Sequence, residues 1–260
     1  MGTSSSYKGS SGKIPAAMRD GLNDWADSQT GANHSAIPES VIAQAIRIPV
    51  FSRSSGSGGG GGAGGGSGGS GTGGGSGKGS KQSAPKRSAH AYASTAGRAA
   101  AIAQAFRAGD REELARLGLN LDKLSSMPSR PEMVRAIVEA ISEAQPGSDI
   151  PSEEQRQVAG YLVEWMLDTE VNQRVPDAAE VAEHAIGLII AEIVLSEADE
   201  MESREGLSRD EFIDEVHETA QRVAAKADLK NAGTSADAMT KTIERGIRVV
   251  RKIYPAKDPS

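Results

Sequence analysis

Glycine dominates one segment of this 260-residue chain so strongly that the segment cannot build a core. Of the 31 glycines, 17 lie between Gly56 and Gly79. Glycine has no side chain to bury and loses more backbone freedom on folding than any other residue. We therefore interpret residues 52–88 as a linker, which as a random coil spans about 30–36 Å root-mean-square. The linker separates an N-terminal arm, residues 1–51, from the rest of the chain.

The arm carries two short apolar segments in a polar sequence. Residues 1–13 hold nothing to bury, so we expect them to be disordered. The first segment repeats apolar residues at helical spacing, at Ile14, Met18, Leu22 and Trp25. The second segment, residues 37–51, contains the apolar residues Ile42, Ile46 and Phe51.

Two interpretations of these apolar segments are open. The segments fold back onto the C-terminal part, or they are tethered peptides that dock on another protein. The long linker favours docking, because folding back needs only a short connection. The residues that we expect to dock are Trp25, Ile42, Ile46 and Phe51.

The C-terminal part has the pattern of helices throughout. Apolar residues recur at the helical period, and no segment alternates as a strand would. We expect helices from Ala93 to Ala108, Asp110 to Leu117 and Leu121 to Met127, and helices that begin near Ser129, Ser152, Pro176, Ser208 and Ser235. The helix after Pro176 is apolar nearly all round, which places it at the centre.

These patterns predict an all-α fold. We expect a single helical bundle-like domain, residues 89–254, that folds by itself and is followed by a tail, residues 255–260. A long disordered Gly/Ser-rich arm precedes the domain.

Charge is distributed unevenly along the chain, whose formal net charge is −6. Residues 1–88 sum to +5 and residues 89–260 to −11. The cationic arm could contact nucleic acid, but no aromatic residue lies between Arg53 and Arg87 to stack on a base, so we expect no such binding. The last helix carries a row of bases at Lys241, Arg245, Arg248 and Lys252. This row is typical of a solvated outer face, and a partner surface is the alternative.

Recognisable catalytic and metal-binding patterns are few. The chain has no cysteine, and the four histidines share no metal-ligand spacing, so we interpret them as surface residues. The acids Glu197, Asp199, Glu200, Glu202 and Glu205 have the pattern of a solvated helix end. The phosphate-loop-like run 71–79 and the G-x-S-x-G match 65–69 lie in the linker, without a strand to fix them. We expect a protein that is no enzyme and needs no cofactor.

No apolar run is long enough for a bilayer span, and residues 1–12 lack a secretory signal, so we expect a cytoplasmic protein. Removal of Met1 would expose Gly2 at the start of a small, polar segment. Such a terminus is well suited to enter the active site of another enzyme.

The run Met1-Gly2-Thr3-Ser4-Ser5-Ser6-Tyr7, the Gly/Ser-rich arm and a body that begins near Gly97-Arg98-Ala99-Ala100 resemble the QatB family. QatB proteins are components of the bacterial Qat anti-phage defence system. The likeness is specific over the first dozen residues and is one of layout over the helical body. It implies partners from the same operon: a QueC-like enzyme, an ATPase and a TatD-like nuclease.

The resemblance also implies a role for the N-terminus. Related defence systems attach a deazapurine-type group to an N-terminal glycine, and Gly2 stands where that acceptor would be. We therefore expect a non-enzymatic adaptor or protein substrate that presents Gly2 to the QueC-like enzyme. The alternative is a generic helical scaffold or nucleic-acid-associated protein that uses the cationic arm.

Overall fold

The computed structural model describes residues 13–29, 35–48, 84–143, 151–198, 208–230 and 232–255, with side chains described from Ala89 onward in the helix that begins at Ala84. All regular structure in these residues is helical, as predicted. The helices are α1 (Lys13–Ser28), α2 (Glu39–Ile42), α3 (Ala84–Ala108), α4 (Arg111–Arg116), α5 (Leu121–Ser125), α6 (Arg130–Ser142), α7 (Glu153–Leu167), α8 (Ala178–Glu197), α9 (Arg209–Ala225) and α10 (Ala236–Ile253), and a 3₁₀ helix (Ala43–Arg47) follows α2.

Polar side chains cap most of the helix starts. Ser152 and Gln155 form a reciprocal capping box at α7, and Asp177 and Glu180 form another at α8. Such caps satisfy backbone N–H groups that have no partner within the helix, and each stabilises its helix by about 1 kcal/mol. Ser208 precedes α9 as predicted, but its side chain makes no capping hydrogen bond.

Helix α8 lies at the centre of the fold, as its sequence predicted. Its side chains are buried nearly all round, and it packs against α7, α9, α10 and the 3₁₀ helix. Helices α8 and α10 approach each other closely where α10 has a glycine. A Cβ at Gly246 of α10 would collide with the side chain of Ile186 of α8. Helix α3 uses alanines in the same way and packs against α7 and α10.

The core extends beyond the predicted domain, residues 89–254. Helix α1, helix α2 and the 3₁₀ helix contribute buried side chains to the same apolar cluster as the C-terminal helices. Met18, Leu22 and Ile42 are completely buried. The core therefore does not begin at the predicted boundary, residue 89. Part of the apolar surface of α8, α9 and α10 is covered by α2 and the 3₁₀ helix.

Candidate functional site

Trp25 lies inside the core of its own chain. Its side chain is 7% exposed, and its ring packs against Phe212 of α9 with 6.1 Å between the ring centroids. The indole Nε1 donates a hydrogen bond of 2.7 Å to the carbonyl oxygen of Ser35. The buried ring and its satisfied N–H leave no free anchor for another protein.

Ile42 and Ile46 are buried as well, at 0% and 3% exposure. Helix α2 packs against α9, and the 3₁₀ helix packs against α8 and α10. For Trp25, Ile42 and Ile46 the docking hypothesis is therefore wrong in this structure, and folding back is the arrangement found. The physical reason is that their apolar faces meet a complementary face within the chain. Phe51 and Gly2 lie outside the described residues.

Two arginines fasten the 3₁₀ helix to the end of α10. The Arg47 guanidinium donates to the carbonyl oxygens of Arg251 and Tyr254, at the C-terminus of α10. In return, the Arg251 guanidinium donates to the carbonyl oxygen of Ile46, with 2.8 Å from its Nε. Each arginine thus satisfies carbonyls that a helix end leaves without a partner. Tyr254 adds a hydrogen bond from its hydroxyl to Glu39.

A partly buried ion pair links α1 to α8. Arg19 Nη1 lies 2.9 Å from Glu197 Oε2, and Glu197 is only 6% exposed. The interpretation of Glu197 as part of a solvated helix end is wrong, because the residue faces α1. The other four acids of that cluster lie outside the described residues.

Two of the four histidines belong to an aromatic cluster. His184 of α8 stacks on Trp165 of α7, with 3.9 Å between ring centroids and 15° between ring planes. His217 of α9 meets the ring of Tyr161 edge-on at 6.3 Å. Burial, and secondarily the neighbouring His217, lowers the pKa of His184 to about 4. Burial likewise lowers the pKa of His217, so both imidazoles are neutral near pH 7.

This cluster changes the interpretation of the histidines. His184 and His217 are half-buried rather than simple surface residues. His90 is exposed as predicted and pairs with Glu244, whereas His34 lies outside the described residues. No local pattern indicates the stack, since Trp165 and His184 lie on different helices and meet only through the packing of α7 on α8.

A groove of about 640 Å³ opens beside Trp165, along the loop that joins α7 to α8. We call it the α7–α8 groove. Its lining includes Trp165, Val171, Asn172, Arg174, Pro176 and Glu180. Val171 on this loop is 66% exposed, and Tyr161 one turn before Trp165 is 44% exposed. Of these two exposed side chains, Val171 lines the groove, whereas Tyr161 lies on the neighbouring surface of α7.

Hydrogen bonds fix the loop of the α7–α8 groove. Arg107 donates to the carbonyl oxygens of Met166 and Asn172 at 2.8 and 3.0 Å. The Asp168 carboxylate accepts from the backbone N–H groups of Val171 and Glu170. These N–H groups, helped by Arg130, hold the pKa of Asp168 below its usual range. These hydrogen bonds hold the loop that lines the groove in place.

Glu192 is a half-buried carboxyl on α8. Burial, and secondarily the charge of Glu154 on α7, raises the pKa of Glu192 to about 7. The ring of Tyr92 lies nearby with 2% exposure, and burial together with both carboxylates raises the pKa of its hydroxyl. Glu192 therefore changes charge near neutral pH.

The last helix presents a row of cations to solvent. Lys241, Arg245, Arg248 and Lys252 are all exposed, and we call this row the basic face of α10. Arg245 donates a hydrogen bond to the carbonyl oxygen of Lys230 at 2.8 Å. Within the described part of the chain, none of the four makes an ion pair.

Neither a metal site nor a membrane span is found where the structure is described. No three of the metal-ligating side chains converge there, and no helix there has both the length and the apolar character to cross a bilayer. The phosphate-loop-like run and the G-x-S-x-G match lie outside the described residues. Comparison with family models, curated proteins and solved structures finds no match.

Proposed function

We propose that this chain is a non-enzymatic adaptor or protein substrate in an anti-phage defence complex, and that it presents Gly2 to a QueC-like enzyme. The observation that carries the proposal is the likeness of residues 1–12, above all Met1 to Tyr7, to the start of QatB proteins. The further partners are the ATPase and the TatD-like nuclease of the same operon. The protein acts in the cytoplasm.

The anchoring of α1 supports this proposal. Ile14 packs against the core and Met18 is completely buried, so the chain is fixed to the body one residue after Lys13. Eleven residue steps separate Gly2 from Lys13, which allows a reach of at most about 36–40 Å. That length is enough for a terminus to enter a cleft of a partner that is itself docked on the body.

The chemistry of an N-terminal amine also supports it. An α-amine has a pKa of about 7.7–8.0, whereas a lysine side chain has a pKa of about 10.4. A larger fraction of the α-amine is therefore neutral and nucleophilic at cytoplasmic pH. The partner can use this difference to select the terminus over the lysine side chains of the same segment.

The α7–α8 groove gives the adaptor a place to hold a partner. Hydrogen bonds hold its loop in place, it lies beside the Trp165–His184 stack, and exposed Val171 borders it. Aromatic residues in such positions commonly contribute much of the binding free energy of an interface.

The test is the mass of Gly2 in protein made with its whole operon. We expect the wild-type chain, tagged at its C-terminus, to gain the mass of one attached group, located at Gly2 by peptide sequencing. Gly2→Pro turns the primary amine into a hindered secondary amine and is expected to abolish both the added mass and the defence. Gly9→Pro, a matched change in the same segment, is the control and should be modified. An unmodified wild-type terminus contradicts the proposal.

The second candidate function is that of a generic helical scaffold or a nucleic-acid-associated protein. The exposed basic face of α10 is the observation that favours it, while residues 52–83 of the cationic segment lie outside the described residues. Binding of a DNA duplex that weakens steeply with salt would be its signature.

A further inference from the structure

The basic face of α10 is unusual in its surroundings. The chain has a net charge of −6, yet α10 alone carries five bases and two acids. From Lys241 to Lys252 the exposed polar positions are all cationic. Glu244, the one acid within this stretch, lies toward α3, where it pairs with His90.

The helix dipole does not explain this face. Cations stabilise a helix when they lie in its last turn, and Lys252 does so. Lys241 is the sixth residue of α10, however, and Arg245 is at the middle. There the dipole gives a cation no benefit. Arg245 has one role within the chain, its hydrogen bond to the carbonyl oxygen of Lys230, so Lys241 is the charge that needs another reason.

Neighbouring bases on the face repel one another, although Asp237 and Glu244 lie four residues before Lys241 and Arg248 and partly offset this repulsion. Lys241 and Arg245 are four residues apart, Arg245 and Arg248 three, and Arg248 and Lys252 four, so like charges are neighbours three times. Each like-charge neighbour destabilises a helix, as an opposite charge at the same spacing would stabilise it. Carboxylates brought by a partner would offset this repulsion.

The length of the basic face and the apolar residue near its end indicate which kind of ligand fits it. Lys252 lies eleven residue steps after Lys241, so the row is about 16 Å long and straight. At the end of α10, about a third of a turn around the helix from this row, the apolar side chain of Ile253 is 45% exposed. A phosphate backbone offers nothing to this side chain, and the acidic body repels a long polyanion. A protein segment with a row of carboxylates and an apolar residue fits both features.

We propose that the basic face of α10 is the docking surface for an acidic, amphipathic segment of a protein partner, with Ile253 as its apolar contact. This inference rests on the proposed function, because the partners that it concerns are the operon neighbours of the adaptor.

The variant Lys241→Glu/Arg248→Glu separates docking from folding. Each new Glu lies four residues before a base, Arg245 or Lys252, which is the favourable orientation for an ion pair within a helix. Each new Glu also lies four residues after an acid, Asp237 or Glu244, which offsets this gain. The variant is therefore expected to melt close to the temperature of the wild type, while its face no longer attracts carboxylates.

The measurement is the affinity of the purified full-length chain for each of the three operon neighbours, the QueC-like enzyme, the ATPase and the nuclease. For one of them we expect the wild type to bind and the variant to bind about tenfold or more weakly at 150 mM NaCl, since two attractions become repulsions. The wild-type affinity is expected to fall with salt, and the variant to lose most of that dependence. Lys123→Glu/Arg135→Glu makes the same charge change at exposed positions of α5 and α6 and should bind as the wild type does.

The remaining outcomes each decide the question. Unchanged binding by the α10 variant overturns the docking surface and leaves the adaptor function intact. If the wild type binds none of the three neighbours, both the docking surface and the adaptor function are overturned. Binding of a 20-base-pair DNA duplex at the same salt, lost in the α10 variant, assigns the face to nucleic acid. Self-association of the wild type by light scattering, lost in the variant, assigns it to a second copy. Either result overturns the proposal that the basic face of α10 docks a protein partner from the operon.

Discussion

At the scale of single residues, Glu192 links stability to pH. Its pKa in the folded chain is raised from 4.5 to about 7, mainly by burial. Between these values the folded chain keeps a proton that the unfolded chain releases. The free energy of unfolding contributed by this group therefore falls as pH rises through this window. His184 has the opposite effect on the pH dependence of stability. Because its pKa is lowered to about 4, the folded chain binds a proton less readily than the unfolded chain, and the free energy of unfolding falls as pH drops from 6.5 towards 4.

We predict that Glu192→Gln stabilises the chain at pH 8 and has little effect at pH 5. Glutamine has the shape of the neutral acid and cannot ionise, so it removes the cost of burying a charge. The measurement is the difference in melting temperature between variant and wild type at the two pH values, in which the His184 contribution cancels. Glu164→Gln, at an exposed position of α7, is the control. A difference that is the same at both pH values contradicts the prediction.

At the scale of elements, the reciprocal arginines tie the 3₁₀ helix to α10. Arg47 and Arg251 each hold carbonyls of the other element, across more than 200 positions in sequence. Hydrogen bonds that involve a charged group contribute more than neutral ones, about 1.5–3 kcal/mol. The contact thus adds to the apolar burial that holds the N-terminal segment in place.

We predict that Arg47→Ala lowers the free energy of unfolding by about 1–3 kcal/mol, since the α10 carbonyls lose their donor. Hydrogen exchange should become faster in residues 39–47 and in the last turn of α10, while α6 is unaffected. Arg135→Ala, on the exposed side of α6, should change neither quantity. Equal exchange in wild type and Arg47→Ala would mean that the arginines do not hold these elements together.

Some helix starts could be predicted from the sequence, whereas contacts between helices could not. Ser152, Asp177 and Ser235 mark helix starts through local hydrogen bonds, so their positions were predictable from neighbouring residues alone. The start of α3 at Ala84 was missed, although Pro85 in a first turn is a usual start signal. The Trp165–His184 stack could not be predicted, because it depends on how α7 packs against α8.

At the scale of the whole molecule, one core contains helices from both sides of the glycine-rich segment. The apolar spacing of Ile14, Met18, Leu22 and Trp25 predicted a buried helical face, but periodicity does not say what covers a face. The linker length favoured a separate partner, yet loop-closure entropy rises only slowly with length, so a long connection costs a folded-back segment little. Residues of the segments 13–29 and 35–48 thus complete the core.

We predict that the fragment 84–260, which lacks these residues, is much less stable than the full chain, because removal of α1 and α2 exposes apolar surface around Phe212. Loss of a single buried Trp typically costs about 3–5 kcal/mol, and the fragment loses several buried side chains at once. A synthetic peptide of residues 13–48 should bind the fragment and restore its stability. The same peptide with Trp25→Ala should restore much less.

The most direct measurement is a thermal melt of the fragment 84–260 followed by circular dichroism, alone and with saturating peptide 13–48, beside the full-length chain. We expect a low or non-cooperative melt for the fragment alone and a cooperative melt close to that of the full-length chain with the peptide. A fragment that already melts cooperatively at the temperature of the full-length chain when no peptide is present would show that residues 13–48 are not part of the core.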